Sequence, residues 1–188
     1  MSLETETAEV LERESDSKGF VFTRAGDAAP HMGRKQRGAD EPGFDLHPAI
    51  MRGMAQMRDN TKGAAALTLF ASEKTHVSYV WFKSGYPLPI HSHDTNCYYL
   101  VIAGAMKVGS EVLGKGDGVQ IPAGAPYTVT PLDEGVEFLE IRESPDYDTH
   151  YRAKTDSYWD RVAETRRTRK PIWEEEKQPY GLVPVAGE

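Results

Sequence analysis

GYPLPIHSHDTNCYYLVIAG, residues 85–104, is the stretch on which the fold turns. His91 and His93 stand two apart, and on a β-strand side chains at i and i+2 share one face. On a helix the same pair diverges, so both imidazoles reach one point only if this segment is extended. The run that follows supports that reading. Cys97, Tyr98, Tyr99, Leu100, Val101 and Ile102 are a β-branched and aromatic series that stops at Gly104. With unbroken alternation, Cys97, Tyr99 and Val101 point the same way as the histidines. Two imidazoles, a thiol and a phenol then line one surface.

Outward from this stretch, residues 64–142 keep the same character. Short apolar or alternating runs at 65–71, 76–83, 97–103, 105–108, 111–113, 118–121, 126–130 and 136–142 are separated by Gly and Pro. Val108-Gly109-Ser110-Glu111 reads as a two-residue hairpin turn. Many short strands with close turn signals indicate an all-β sandwich or barrel. About eight of them suffice for a small barrel or a jelly roll whose mouth holds one ligand.

The flanks differ. Residues 1–17 are rich in Glu and Ser and read as a loose helix or a disordered arm. Phe20 to Thr23 suggests a short edge strand, and 24–43, which includes His31, reads as loop. Residues 47–58 place Ile50, Met54 and Met57 on one helical face, with Pro48 in the first turn. Near the other end, Thr155 or Ser157 is positioned to cap a helix carrying Tyr158, Trp159, Val162 and Ala163. Arg166, Arg167, Arg169 and Lys170, then Glu174 to Glu176, read as a solvated surface. The expected organisation is an extension over 1–63, a barrel over 64–144 and a helix and tail over 145–188.

Among 188 residues, 39% are hydrophobic and 27% charged, as in an ordinary globular protein. A net charge of −7 argues against nucleic-acid binding, and no run is long and apolar enough for a membrane span. One cysteine excludes an intrachain disulfide and suits a reducing compartment. The cytoplasm is the expected location.

The spacing of the punctuation carries a family resemblance. Gly85, five residues, His91-Ser92-His93, three residues, Cys97, six residues and Gly104 resemble the first cupin motif. Gly116, five residues, Pro122-Ala123-Gly124 and then Tyr127 resemble the second. The resemblance covers roughly 65–142 and implies a cupin-type double-stranded β-helix, a jelly-roll barrel with short helical extensions. It also implies a divalent transition metal (iron, zinc, copper, manganese or nickel), a small-molecule substrate and a homodimer. Cupin metals usually take two histidines and a glutamate from the first motif and a histidine from the second. Here Cys97 stands in place of the glutamate and Tyr127 in place of the last histidine.

His91, His93 and Cys97 are therefore the candidate metal ligands, with Cys97 as a small buried hydrophobe the alternative. Tyr127 has three readings: a ligand, a proton-transferring group beside the ion, or a core aromatic. Tyr99 resembles the base of cupin-type lyases, and base work by a phenol requires a nearby cation. Trp81, Gln120 and Glu140 are candidate substrate contacts. Glu140 shares strand parity with Val136 and Phe138, so it is either a buried carboxylate in need of a partner or part of an outward polar face. His76 is expected to be exposed. Oxygen-dependent cleavage by a dioxygenase is the first functional expectation. Metal-assisted elimination or isomerisation with Tyr99 or Tyr127 as base is the second, and a barrel that only binds a small molecule or builds a dimer is the third.

Overall fold

The computed structural model of the chain describes residues 21–30, 47–57, 62–183 and 185. The expectations for 1–17, Phe20 and His31 lie outside them. In chain order the elements are β1 (Ala29–Pro30), α1 (Pro48–Met57), β2 (Ala64–Ala71), β3 (His76–Phe82), β4 (His91–His93) and β5 (Cys97–Val108). There follow β6 (Glu111–Gly114), β7 (Gly118–Ile121), β8 (Val129–Arg142), β9 (Thr149–Tyr151) and α2 (Asp156–Glu175). Among the described residues no helix is long and apolar enough to cross a membrane. Val21 to Thr23 form no strand, and Phe22 is exposed.

One antiparallel sheet runs β1-β2-β3-β8-β5-β6, with β7 also paired to β5. A second, two-stranded sheet joins β4 to β9. A single bridge between His91 and Tyr127 ties β4 to the chain that follows β7. Alternation sorts the side chains: Cys97, Tyr99 and Val101 are buried while Tyr98 between them is exposed. Val80, Cys97, Tyr99, Val101, Met106, Ile121, Tyr127, Val129, Val136 and Phe138 fill the space that the strands enclose. The result is the jelly-roll architecture, mostly β with two α-helices among the described residues.

Two pairs of expected runs fuse into single strands. The runs 97–103 and 105–108 are one strand through Gly104, and 126–130 and 136–142 become the long β8. The cause lies where they cross. Gly104 has φ 69° and Gly135 φ 70°. The β5–β8 register shifts on both sides of Ala103 and Gly104, and a Cβ on Gly104 would run into the Gly135 carbonyl. Glycines that punctuate the sequence here mark bulges inside strands, not ends of them.

The helices pack on one another and on the barrel. Ala49 and Ile50 of α1 meet Trp159 of α2, and Gly53 lets the indole lie directly on the α1 backbone. The Thr155 side chain makes no capping bond. The basic run is not a solvated surface throughout. Arg166 is buried, bonding the Tyr86 hydroxyl and the Met57 carbonyl, and Arg169 reaches Ser84. Glu176 likewise accepts from the Ser84 backbone N–H (2.6 Å) and hydroxyl (2.7 Å). After α2 the tail crosses the outer face of β3. Glu137, fully buried, accepts from the Tyr79 hydroxyl at 2.8 Å and from the N–H groups of Tyr180, Gly181 and Leu182.

Candidate functional site

β4 is only three residues long, and its position is set from both sides. On one side His91 to His93 pair with Tyr151 to Thr149. On the other, the N–H groups of His91 and Tyr127 donate to each other's carbonyls at 3.0 and 2.8 Å, and Gly124 N–H donates to the His93 carbonyl at 2.7 Å. Alternation then turns both imidazoles inward, where they are buried. Arg152 fixes the intervening Ser92 with bonds of 3.1 and 2.6 Å to its hydroxyl.

The backbone also decides which ring nitrogen faces the interior. His91 Nδ1–H donates to the Pro89 carbonyl at 2.7 Å, and His93 Nδ1–H donates to the Asp148 carbonyl at 3.0 Å. A carbonyl only accepts, so each neutral ring keeps its lone pair on Nε2. The Tyr127 hydroxyl donates to His91 Nε2 at 3.1 Å. Tyr99 and Tyr127 hydroxyls stand 2.5 Å apart, and Tyr99 also reaches Glu140 Oε1 at 3.3 Å. A chain of polar groups thus runs Glu140–Tyr99–Tyr127–His91.

Burial sets the charge states. It pushes His93 down to about 3, with the Arg142 charge and His91 acting in the same direction. His91 is also lowered by burial, partly opposed by its bond to Pro89. Tyr99 and Tyr127 are raised well above the ordinary phenol value by burial, then by the Glu140 charge. The Cys97 thiol is pushed up to about 11, again first by burial. At neutral pH the rings, phenols and thiol are all uncharged. Glu140 and Arg142 form a buried ion pair beside them.

The candidate residues divide. His91, His93, Tyr99, Tyr127 and Glu140 come together, and Glu140 faces inward, not outward to solvent. Cys97 shares the interior with Tyr99 and Tyr127. It does not complete a ligand set with the histidines: among the described residues no three of His, Cys, Asp and Glu gather at one point. Trp81 is not in the interior. Its parity on β3 is opposite to that of Val80, and it is buried on the outer face with Tyr79 and Val183. Gln120 is exposed, paired across β7 and β5 with Tyr98, also exposed. For both, parity along the strand favoured the outer face. His76, expected at the surface, is buried and lies 3.4 Å from the Thr68 hydroxyl.

Three site residues escaped sequence reading. Arg142 shares parity with Val136, Phe138 and Glu140, so a charged pair two apart on the core face of β8 was the available signal. Tyr147 packs edge-on against His93, with centroids 5.2 Å apart, and Asp148 acts through its backbone. Neither has a sequence signal, because both depend on the loop that leads into β9.

Does this set suit the metal that cupins use? The ring centroids of His91 and His93 stand 4.8 Å apart at 76°. A ring with Nε2 about 2.1 Å from an ion has its centroid about 3.2 Å away, so two rings at about 95° stand about 4.7 Å apart. The match is close, and Nδ1–H tied to carbonyls is the usual support for a ligating imidazole. His91 Nε2, His93 Nε2 and the Tyr127 oxygen, 3.1 Å from His91 Nε2, are the donors that would hold a divalent transition ion here. A carboxylate ligand does not belong to the set, since Arg142 holds Glu140.

No family model and no curated protein matches the sequence. Solved structures do resemble it. The polyketide cyclase RemF from Streptomyces resistomycificus is 15% identical over 53% of this chain and 78% of its own, with a TM-score of 0.48. An RmlC-like cupin from Shewanella frigidimarina is 20% identical over 45% and 78%, at 0.42. A mutant oxalate decarboxylase OxdC from Bacillus subtilis is 24% identical over 47% and 28%, at 0.44. These are likenesses; the fold rests on the strand order and on the two glycine-bounded motifs that meet at His91 and Tyr127. The fold is of the cupin type.

Proposed function

We propose that the chain is an enzyme that moves a proton on a small organic substrate held beside His91 and His93, an elimination or isomerisation. The observation that carries this reading is the hydroxyl chain Tyr127–Tyr99–Glu140, which begins at the imidazole face and ends at a carboxylate. His91 and His93 would hold a divalent transition ion through Nε2, with Tyr127 the third donor. Bound there, such an ion supplies positive charge that favours phenolate and polarises a substrate carbonyl or carboxylate.

The protein groups do the rest. Tyr127 Oη stands where a substrate proton would be taken, with the Tyr99 hydroxyl oxygen 2.5 Å away. Glu140, fixed by Arg142, accepts from Tyr99 and holds that hydroxyl in line. Phe138 and Val101 pack in the same buried cluster as the two tyrosines. Oxygen-dependent cleavage has less support here. The facial arrangement of two histidines and a carboxylate lacks its carboxylate among the described residues, because Glu140, the acid beside the site, is already paired with Arg142.

The test is an NMR screen of small carbonyl and carboxyl compounds in heavy water, run beside an oxygen electrode. Deuterium entering a substrate carbon with no oxygen uptake, and its loss in Tyr127→Phe, is the expected result. Oxygen consumption with any substrate would replace this reading by the dioxygenase one.

A further inference from the structure

The buried guanidinium of Arg142 is the charged group that the barrel leaves incompletely answered. Its side chain is 2% exposed, and Glu140 takes only Nη2. Nε and Nη1 are buried and make no hydrogen bond. Arginine carries N–H donors on all three nitrogens and no acceptor; the Tyr147 side chain also hydrogen-bonds the guanidinium, yet Nε and Nη1 keep no partner. Native interiors answer such donors with water or a bound acceptor, because leaving a charged one unmet is costly. Arg166 also has an unmet Nε, but its other nitrogens bond Tyr86 and Met57, far along α2 from the imidazoles.

Placement gives Arg142 its meaning. The guanidinium carbon lies 3.8 Å from the centroid of the Tyr147 ring. The same ring meets His93 edge-on at 5.2 Å. The cation is thus one ring away from the imidazole face and shares Glu140 with Tyr99. The charges reinforce this. Glu140 cancels Arg142, and a phenolate at Tyr127 offsets only one of a divalent ion's two charges, so such a cation at His91 and His93 would leave the interior with excess positive charge. Buried excess charge requires a counter-ion.

We propose that Arg142 anchors the carboxylate of a small organic acid inside the barrel, through its unanswered Nε–H and Nη1–H groups. Glu140 keeps the guanidinium in place, and the acid's remaining atoms extend toward Tyr127 and the histidines. The acid's role as substrate rests on the proton-transfer reading; its binding does not. Carboxylate recognition by arginine is charge-assisted on both partners, which an amide of the same shape cannot reproduce.

Calorimetric titration of the full chain with propionate and benzoate, against propionamide and benzamide, tests this directly, with metal content measured on the same samples. The acids are expected to saturate one site, and the amides to bind at least about tenfold more weakly. Arg142→Met should abolish the preference for acid while leaving the amides unchanged. Should that variant fail to fold, Arg142→Lys takes its place: weakened acid binding is expected, and unchanged acid binding overturns the proposal. Equal affinity for acid and amide, or no acid binding, also overturns it. Acid binding to samples that hold no ion would keep the anchor and remove the ion; an ion without any acid preference would remove the anchor alone.

Discussion

Single side chains in the interior are held neutral, and that has measurable consequences. His93, pushed down to about 3 from the usual 6.5, binds fewer protons folded than unfolded between those values. Stability contributed by keeping this ring neutral is therefore complete above about pH 6.5 and is lost as pH falls toward 3. The slope approaches about 1.4 kcal/mol per pH unit for a single such group. In chelator-treated protein, urea unfolding of wild type and His93→Asn between pH 7 and 4 should show wild type losing more stability over that window. Parallel curves would show that the ring titrates normally. Tyr127→Phe should cost about 1 kcal/mol, because it leaves His91 Nε2 without its donor, and should lower proton transfer by about 100-fold or more. Legibility at this scale followed parity. Counting in twos along a strand puts His91, His93 and Tyr99 on one face; for Glu140 the same count leaves both faces open, and the structure turns it inward. Trp81 and Gln120 carry aromatic and amide chemistry suited to a site, but the same count turns both to the outer face.

At the level of elements, the glycines that look like strand ends are the points where β5 and β8 bulge past each other. Gly104→Ala combines a positive φ with a Cβ driven into the Gly135 carbonyl, which cannot move aside as a flexible side chain would. A loss of about 3 kcal/mol or more in chemical unfolding is expected; an unchanged midpoint would mean that the two strands do not meet as described. Strand-forming residues without Gly or Pro reveal an extended segment, but not whether a glycine inside it turns or bulges. Two pairs of runs in the sequence therefore look like four strands where the structure has two. The helix pair was legible from its apolar spacing, whereas the inward turn of Arg166 was not. A basic run is solvated by default, and only the Tyr86 hydroxyl and the Met57 carbonyl, distant in sequence, make burial of one member tolerable.

On the scale of the whole molecule, the tail is a cover for the outer sheet face, held by one acid. Glu137 answers the backbone N–H groups of Tyr180, Gly181 and Leu182, and beneath the tail lie Tyr79 and Trp81. Glu137→Ala should release this segment, with faster proteolysis beyond Glu176 and a red-shifted tryptophan emission as Trp81 meets water. Resistance equal to wild type would show that apolar packing alone holds the tail. The sequence offers Trp173 and Tyr180 as aromatic anchors for docking the tail on the barrel; Trp173 is fully buried, whereas Tyr180 is exposed and the tail is held through backbone N–H groups on Glu137, more than forty positions earlier on β8. The barrel, by contrast, was legible in outline because glycine and proline spacing is set by turns that the chain makes locally. The account as a whole stands on the two imidazoles sharing one cation. Elemental analysis of the full chain purified without added metal, beside His91→Ala, His93→Ala and Cys97→Ala, tests this most directly. About one equivalent of a divalent transition ion in wild type and Cys97→Ala, and almost none in either histidine variant, is the predicted result. Wild type without ion that takes up none on titration, or histidine variants that keep the wild-type content, would contradict it.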